Sequence, residues 1–468
     1  MKLICLPKLI CSLKLFRLFV FTLVCTASGY GHAQLSPAES QPEPTSARGA
    51  GSGAADNVYA KARPKLLQIR TLLVAASRQS SIGSGFLVSA DGLAMTNYHV
   101  VSQYAQEPAT YRMEYAAPGG ATGNLKLLAV DVTNDLAVVQ LESSEKRDFF
   151  AFYPSAIDGS LPKGERLYAM GNPLDLGFTI VEGTYNSLVE KSYQERVHFS
   201  GAINAGMSGG PTVSADGRVA GINVAKQIGG ELVSFLVPAK FGAALIERAR
   251  ANLATPFVDV KTTRADIAKQ LATWQQGHYK TLLQLGFKSV AFGRYQAPEA
   301  QAPWFTCWAR TNAEQVPKPR VAQNVTQCST KTWLYVTNSL QLGSVDIAHA
   351  YAKSVDLNAF QFANYMNQMQ GVPWAGFSAR RHITAAQCVE DFVKADAANR
   401  PAMRVVWCAR ALREYAEIYD VTVTVMTQDR SDEALVSKLA MSGVSYQNAM
   451  EVGSRFVAAI TLSPAAAK

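Results

Sequence analysis

Three side chains of this sequence can together cut an acyl bond. They are His99 in Thr96-Asn97-Tyr98-His99-Val100-Val101, Asp135 in Asn134-Asp135-Leu136-Ala137-Val138-Val139, and Ser208 in the glycine-dense turn Asn204 to Pro211. A serine hydroxyl is a poor nucleophile until an imidazole takes its proton, and the imidazole keeps the right tautomer only if a carboxylate holds its other nitrogen. The glycines around Ser208 free the backbone for unusual dihedrals and close approach, so the N–H groups of Gly206 and Ser208 can converge on one oxyanion. Asp131 competes with Asp135; the apolar run that starts directly after Asp135 favours it and leaves Asp131 as a solvated turn residue. Among the other histidines His198, His278, His349 and His382, none follows a strand and precedes both partners as His99 does, and His198 reads as a strand residue.

The elements that must position these groups are strands. Gly83 to Val88, Asp91-Gly92 and Leu93 to Thr96 read as strand, tight turn and strand, which puts His99 just past a strand end. Leu136 to Leu141 is a continuous apolar run with Asp135 at its mouth. Short apolar runs punctuated by Gly, Asp-Gly and Asn-Pro continue to about Pro238, the pattern of an all-β barrel protein. Phe241 to Asn252 then reads as a helix.

These stretches, with Val58 to Pro64, Gly171-Asn172-Pro173 and Ser234 to Pro238, resemble the trypsin-like serine proteases and, within them, the bacterial HtrA/Deg branch. The resemblance covers roughly residues 58–250. It implies an all-β double six-stranded barrel with His99, Asp135 and Ser208 in the cleft between barrels, followed here by a separate α+β C-terminal domain. It also implies a substrate pocket from Ala202, Ile203, Ser234, Phe235 and Leu236, which holds no carboxylate for Lys or Arg and therefore favours small or medium aliphatic residues. Two departures stand out. Met207 occupies the place of the aspartate that pairs with a released N-terminus in digestive trypsins, so the oxyanion loop must be ordered some other way, by substrate or by oligomer contacts. No PDZ domain is recognisable.

Beyond the barrels, Ile267, Leu271, Trp274, His278 and Leu282 recur at helical spacing, predicting an amphipathic helix over 262–285 capped by Thr262 or Thr263. After it, strand-like runs (Ser289–Tyr295, Trp304–Ala309, Thr332–Thr337, Met403–Cys408, Val421–Met426, Phe456–Thr461) alternate with helix-like ones (Val345–Ser354, Ala359–Met369, Ala385–Asp396, Asp432–Met441). A faint duplication runs through this region. Cys307 and Cys388 start its halves and Cys328 and Cys408 follow at like spacing, which predicts disulfides Cys307–Cys328 and Cys388–Cys408 unless the spacings arose by chance.

Lys2, Lys8, Lys14 and Arg17, then Leu18 to Val24, then Gly31-His32-Ala33 form a secretory leader cut after Ala33. The four remaining cysteines suit an oxidising compartment; they are too widely spaced and histidine-poor for zinc, and the chemistry above calls for no cofactor or metal. The formal charge of +9, four units of it in the leader, is too weak for nucleic-acid binding without a reading motif. No later segment is apolar enough to span a bilayer. The expected organisation is leader 1–33, flexible linker 34–57, protease domain 58–250, helical connector 251–298 and α+β domain 299–468. The function read from all this is an exported serine endopeptidase, periplasmic or secreted, acting on unfolded polypeptides in envelope quality control, with homo-oligomers possible. The alternative is a catalytically weak binding or scaffold protein working through its C-terminal domain. An esterase fits less well, because the partners precede the serine.

Overall fold

The structure is a computed structural model that describes residues 52–143, 145–226, 232–253, 259–330, 333–369, 374–396 and 399–463. The expected leader and the linker up to residue 51 lie outside the described residues. A helix, α1 (Ser52–Ala62), begins earlier than the boundary expected at Val58, and Val58 and Ala62 anchor it in the apolar interior.

Two closed six-stranded barrels follow. The first comprises β1 (Leu66–Leu73), β2 (Arg78–Leu87), β3 (Leu93–Thr96), β4 (Tyr111–Ala116), β5 (Thr122–Asp131) and β6 (Leu136–Leu141), in the order β1-β2-β3-β6-β5-β4. The second comprises β7 (Arg166–Gly171), β8 (Thr179–Leu188), β9 (Val197–Phe199), β10 (Pro211–Ser214), β11 (Val219–Lys226) and β12 (Ser234–Pro238), in the order β10-β11-β12-β9-β8-β7. Closure removes free strand edges. A short helix α2 (Tyr98–Gln106) leaves β3, α3 (Pro154–Asp158) links the barrels, and α4 (Ala239–Ala251) closes the second. Leu136, Val138, Met170, Val213 and Ile222 from both barrels share one apolar cluster with Leu245 of α4.

Helix α5 (Val260–Leu285) buries Ile267, Leu271, Trp274, His278 and Leu282 on one face; its cap is Asp259, which accepts the Lys261 N–H, rather than Thr262 or Thr263. Past residue 286 the expected connector forms strands instead of helix. β13 (Phe287–Phe292) and β14 (Tyr295–Ala300) form a hairpin whose third strand, β25 (Thr461–Leu462), comes from the end of the chain.

The C-terminal region is strand-rich. β15 (Phe305–Thr311), β16 (Val321–Thr330), β19 (Val345–Ser354), β21 (Gln387–Val393), β22 (Met403–Ala411), β23 (Tyr419–Thr427) and β24 (Glu433–Val444) build one seven-stranded sheet, ordered β15-β16-β19-β24-β23-β22-β21. β17 (Leu334–Thr337), β18 (Leu340–Leu342) and β20 (Phe377–Ser378) make a small separate sheet, and α6 (Ala359–Gln368) and α7 (Tyr446–Ala458) pack on the larger one.

Three of the runs expected as helices are strands here: Val345–Ser354, most of Ala385–Asp396, and Asp432–Met441. Ala, Leu, Lys and Met favour helix weakly, and central sheet pairing overrides that preference. β24 is buried along nearly its whole length, so no alternation betrays it. Conversely, Phe456 belongs to α7 and not to a strand. Disulfides join Cys307 to Cys328 and Cys388 to Cys408 across the two outermost hairpins, at opposite margins of the sheet. With separations of 21 and 20 residues, each contributes roughly 3 kcal/mol on the chain-entropy account. No helix among the described residues is long and apolar enough to cross a membrane.

Besides its own cores, the C-terminal region shares a cluster with the first barrel. Tyr98, Val101 and Ala105 of α2 lie in the same buried group as Leu271 and Trp274 of α5, Leu334 and Val336 of β17, and Tyr415.

Candidate active site

Asn97 caps α2, so His99 sits in its first turn, immediately after β3. Across from it, Asp135 precedes β6 with φ 62°, a left-handed conformation that aspartate tolerates better than most residues. That twist lets one carboxylate serve His99 twice: Oδ1 accepts the His99 backbone N–H at 2.8 Å and Oδ2 meets Nδ1 at 2.6 Å. The Asp135 carbonyl accepts both the Tyr98 N–H and the Asn97 side-chain amide. Since the carboxylate accepts at Nδ1, that nitrogen carries the proton and Nε2 is left with its lone pair free to accept one. Burial works against the charged imidazolium, yet the charge and hydrogen bond of Asp135 outweigh it and raise the His99 pKa above the usual 6.5. Asp131 is occupied locally by Thr133 and Asn134.

Ser208 stands in a loop fastened at many points. Gly206 has φ +92° and a Cβ there would lie 2.4 Å from the Asn172 carbonyl; at Gly209, φ +84°, it would lie 2.4 Å from the Ser84 carbonyl. Only glycine fits either place. Ser84 holds the loop from the first barrel: its N–H donates to the Ser208 carbonyl at 2.8 Å, and its hydroxyl donates to the Gly206 carbonyl at 2.7 Å while accepting the Asn172 N–H at 2.9 Å. Asn223 holds it from the second, through Met170 and Met207 carbonyls, the Gly209 N–H and Thr212. Met207 is fully buried beside Phe199, Ile203 and Leu236, an apolar anchor where an ion pair would otherwise be needed. Ser84, Asn223 and Met207 thus hold the loop through contacts within this chain. Neither the Gly206 nor the Ser208 amide N–H donates to a backbone carbonyl among the described residues. The Ser208 hydroxyl donates to the Val224 carbonyl at 3.4 Å, and among the described residues it makes no hydrogen bond to the His99 imidazole.

Of the expected pocket residues, Ile203 and Leu236 are buried in the second barrel's core. Ser234 is buried too and its hydroxyl accepts the Ile203 N–H at 3.1 Å; Ala202 and Phe235 are half-buried. His198 lies within β9.

Sequence reasoning missed Ser84, Asn97, Arg196 and Asn223. The signal for Asn223 was a polar residue inside an apolar strand, and for Ser84 a serine between two glycines. Arg196 reaches the Asn134 carbonyl at 3.4 Å, and burial pushes its guanidinium down against the attraction of Asp135 and Asp131. Replacing Ser84 by alanine leaves a buried carbonyl and N–H without their partner, which costs about 1–3 kcal/mol. The expected result is a lower melting temperature and at least tenfold slower reaction of Ser208 with a fluorophosphonate, measured on the folded variant.

Residues 83–222 match the family described as a trypsin-like peptidase domain. A probable periplasmic serine endoprotease DegP-like of Bartonella henselae is 31% identical over 178 residues, 36% of this chain and 34% of that protein. The mitochondrial serine protease HTRA2 of Bos taurus is 34% identical over 166 residues, 34% of either chain. The crystal structure of the serine endoprotease from Yersinia pestis aligns with 42% of this chain and 66% of its own at 23% identity and TM-score 0.36. This chain therefore spans about a third of the length of those curated relatives. Over residues 83–222 it is similar to trypsin-like peptidase domains, and serine endoproteases of the HtrA/Deg kind are among the proteins that it resembles.

Proposed function

We propose that this protein is an exported serine endopeptidase that hydrolyses polypeptides through an acyl-enzyme, with Ser208 as nucleophile, His99 as general base and acid, and Asp135 as the group that orients His99. The observation that carries the reading is the double grip of one carboxylate on His99, at 2.6 and 2.8 Å. In the reaction the Ser208 hydroxyl leaves Val224, gives its proton to His99 Nε2 and attacks the scissile carbonyl. The Gly206 and Ser208 N–H groups receive the oxyanion, a contribution of about 2.7–4 kcal/mol per donor in comparable sites. His99 then hands the proton to the leaving amine, and water repeats the cycle on the ester.

The five residues read as the first pocket, Ala202, Ile203, Ser234, Phe235 and Leu236, include no acid, so the reading includes cleavage after small or medium aliphatic residues. Relatives named as periplasmic endoproteases and the leader motif support a periplasmic site of action on unfolded envelope proteins, with secretion as the alternative. In this reading residues 58–250 carry the chemistry and residues 299–468 recruit substrate, gate the cleft or mediate assembly.

One observation favours a second reading, a protease-fold scaffold with little turnover: the Ser208 hydroxyl rests on Val224 rather than on His99. A fluorophosphonate separates the two. The peptidase reading expects stoichiometric labelling located on Ser208 by peptide mapping, and cleavage in a fluorogenic library after aliphatic residues. Folded protein that stays unlabelled supports the scaffold, and a clear preference for Lys or Arg overturns the pocket assignment.

A further inference from the structure

We propose that Tyr335, supplied by the C-terminal region, is a positioning residue for the His99 imidazole; this rests on the reading of His99 as the base. Strand β17 has its Leu334 and Val336 side chains in the core shared with the first barrel. Tyr335 between them is partly buried at the margin of that cluster and packs against it. There its ring meets the His99 ring edge to face, with centroids 5.8 Å apart and planes at 70°. The pairing of β17 with β18 is irregular between Tyr335 and Thr337, a bulge that frees the Val336 carbonyl. That carbonyl accepts the buried Tyr98 hydroxyl at 2.9 Å, one residue before His99.

Helix α2 is tied down at its far end by the same region. The Gln106 side-chain amide donates to the Tyr98 hydroxyl at 3.2 Å and to the Tyr415 hydroxyl at 2.9 Å, and Arg264 of α5 donates to the Gln106 carbonyl oxygen Oε1 at 3.2 Å. Among the described residues of the first barrel, Asp135 is the group that hydrogen-bonds the imidazole. With Nδ1 held, the ring can still swing about its side-chain bonds, and the Tyr335 ring packs against it in a T-shaped contact. His99 keeps 28% of its side-chain surface exposed, room for substrate and little else. Burial pushes the Tyr335 phenol up, against a hydrogen bond from the Ser102 side chain. The same cover withholds water from His99, so its loss eases charging of the imidazole.

The test uses the full chain carrying Tyr335→Ala, Tyr335→Leu or Tyr335→Phe. Tyr335 is only partly buried at the margin of the shared core, and leucine keeps an apolar side chain there without an aromatic edge, so the leucine variant is read even where alanine unfolds. The expected result is that kcat and the fluorophosphonate rate fall about ten- to a hundredfold in the alanine and leucine variants, the scale of a misplaced catalytic group. KM stays as it was, the acid limb of the pH profile moves to higher pH, and phenylalanine restores all of these. An acid limb and kcat equal to the wild type in Y335L overturn the inference. Wild-type protein that never labels at Ser208 overturns the peptidase reading instead. Ring-proton shifts of His99 give an independent readout: they carry the ring current of Tyr335 in the wild type and in Y335F, and their persistence in Y335L counts against the contact.

Discussion

Ser208→Ala is expected to abolish peptide hydrolysis in protein that folds as well as the wild type. The Ser208 side chain has one weak hydrogen bond, at 3.4 Å to Val224, and its loop is fastened through backbone groups, Ser84 and Asn223, none of which the substitution removes. Stability therefore changes little, whereas kcat falls by about 10⁶-fold, the scale on which loss of nucleophile or base removes most of what such a set contributes. His99→Ala should be as severe, and the double variant no worse than either single one, because the groups act as one unit. Asp135→Asn should cost about 10⁴-fold, since an amide favours the wrong tautomer. Melting curves beside turnover and labelling give the check: a Ser208→Ala protein that still cleaves peptides sinks the assignment. The wild-type profile should also lose activity on the acid side with a midpoint above 6.5. His99 must be neutral to accept the proton, and Asp135 holds its pKa up.

Acid should also unfold this protein, and two histidines outside the cleft are the reason. His278 is fully buried between Trp274, stacked at 4.8 Å, and the rings of Tyr193, Tyr279 and Trp304. Neither of its nitrogens has a hydrogen-bond partner among the described residues, and burial lowers its pKa to about 4. His349 is buried as well; it donates from Nε2 to the Pro298 carbonyl and accepts the Ser437 hydroxyl at Nδ1, and its pKa is likewise lowered to about 4, by burial first. Both are neutral in the folded state. Between pH 6.5 and 4 the unfolded chain takes up protons that the folded chain refuses, so stability falls as pH drops through that window. The loss reaches about 3 kcal/mol per histidine below pH 4, against a total of 5–15 kcal/mol for a typical domain. His99 runs the other way: its raised pKa means that protonation favours the fold, which offsets part of the loss. Denaturant titrations at pH 7 and pH 4.5 should show the drop, and His278→Phe, which keeps the stacking, should remove about half of it. Equal acid sensitivity in wild type and His278→Phe would be inconsistent with this account.

Much of the cleft was legible because its parts are local. A strand, an Asp-Gly turn and a second strand announce the position of His99; a glycine-rich turn announces Ser208. What holds those parts was not legible, because Ser84, Asn223 and Arg196 act across distances of many residues and are ordinary polar types. The barrels announced themselves through short apolar runs between turn residues. The C-terminal region did not: Ala348, Ala350 and Ala352 alternate in β19 as a strand should, yet alanine carries so little hydrophobic contrast that the alternation reads as helix. β24, buried on both sides, has no contrast at all. Tyr335 lay in a run correctly read as strand, but nothing in the sequence tells that its neighbour in space is His99.

The apolar cluster that runs from α2 through α5 to β17 and Tyr415 has a bearing on how this chain came to be and how it can be dissected. Here a fragment ending at residue 250 would leave Tyr98, Val101 and Ala105 facing water on the very helix that begins with the base. The barrels and the region that follows them are covalently continuous and share a buried core, so they are expected to melt together.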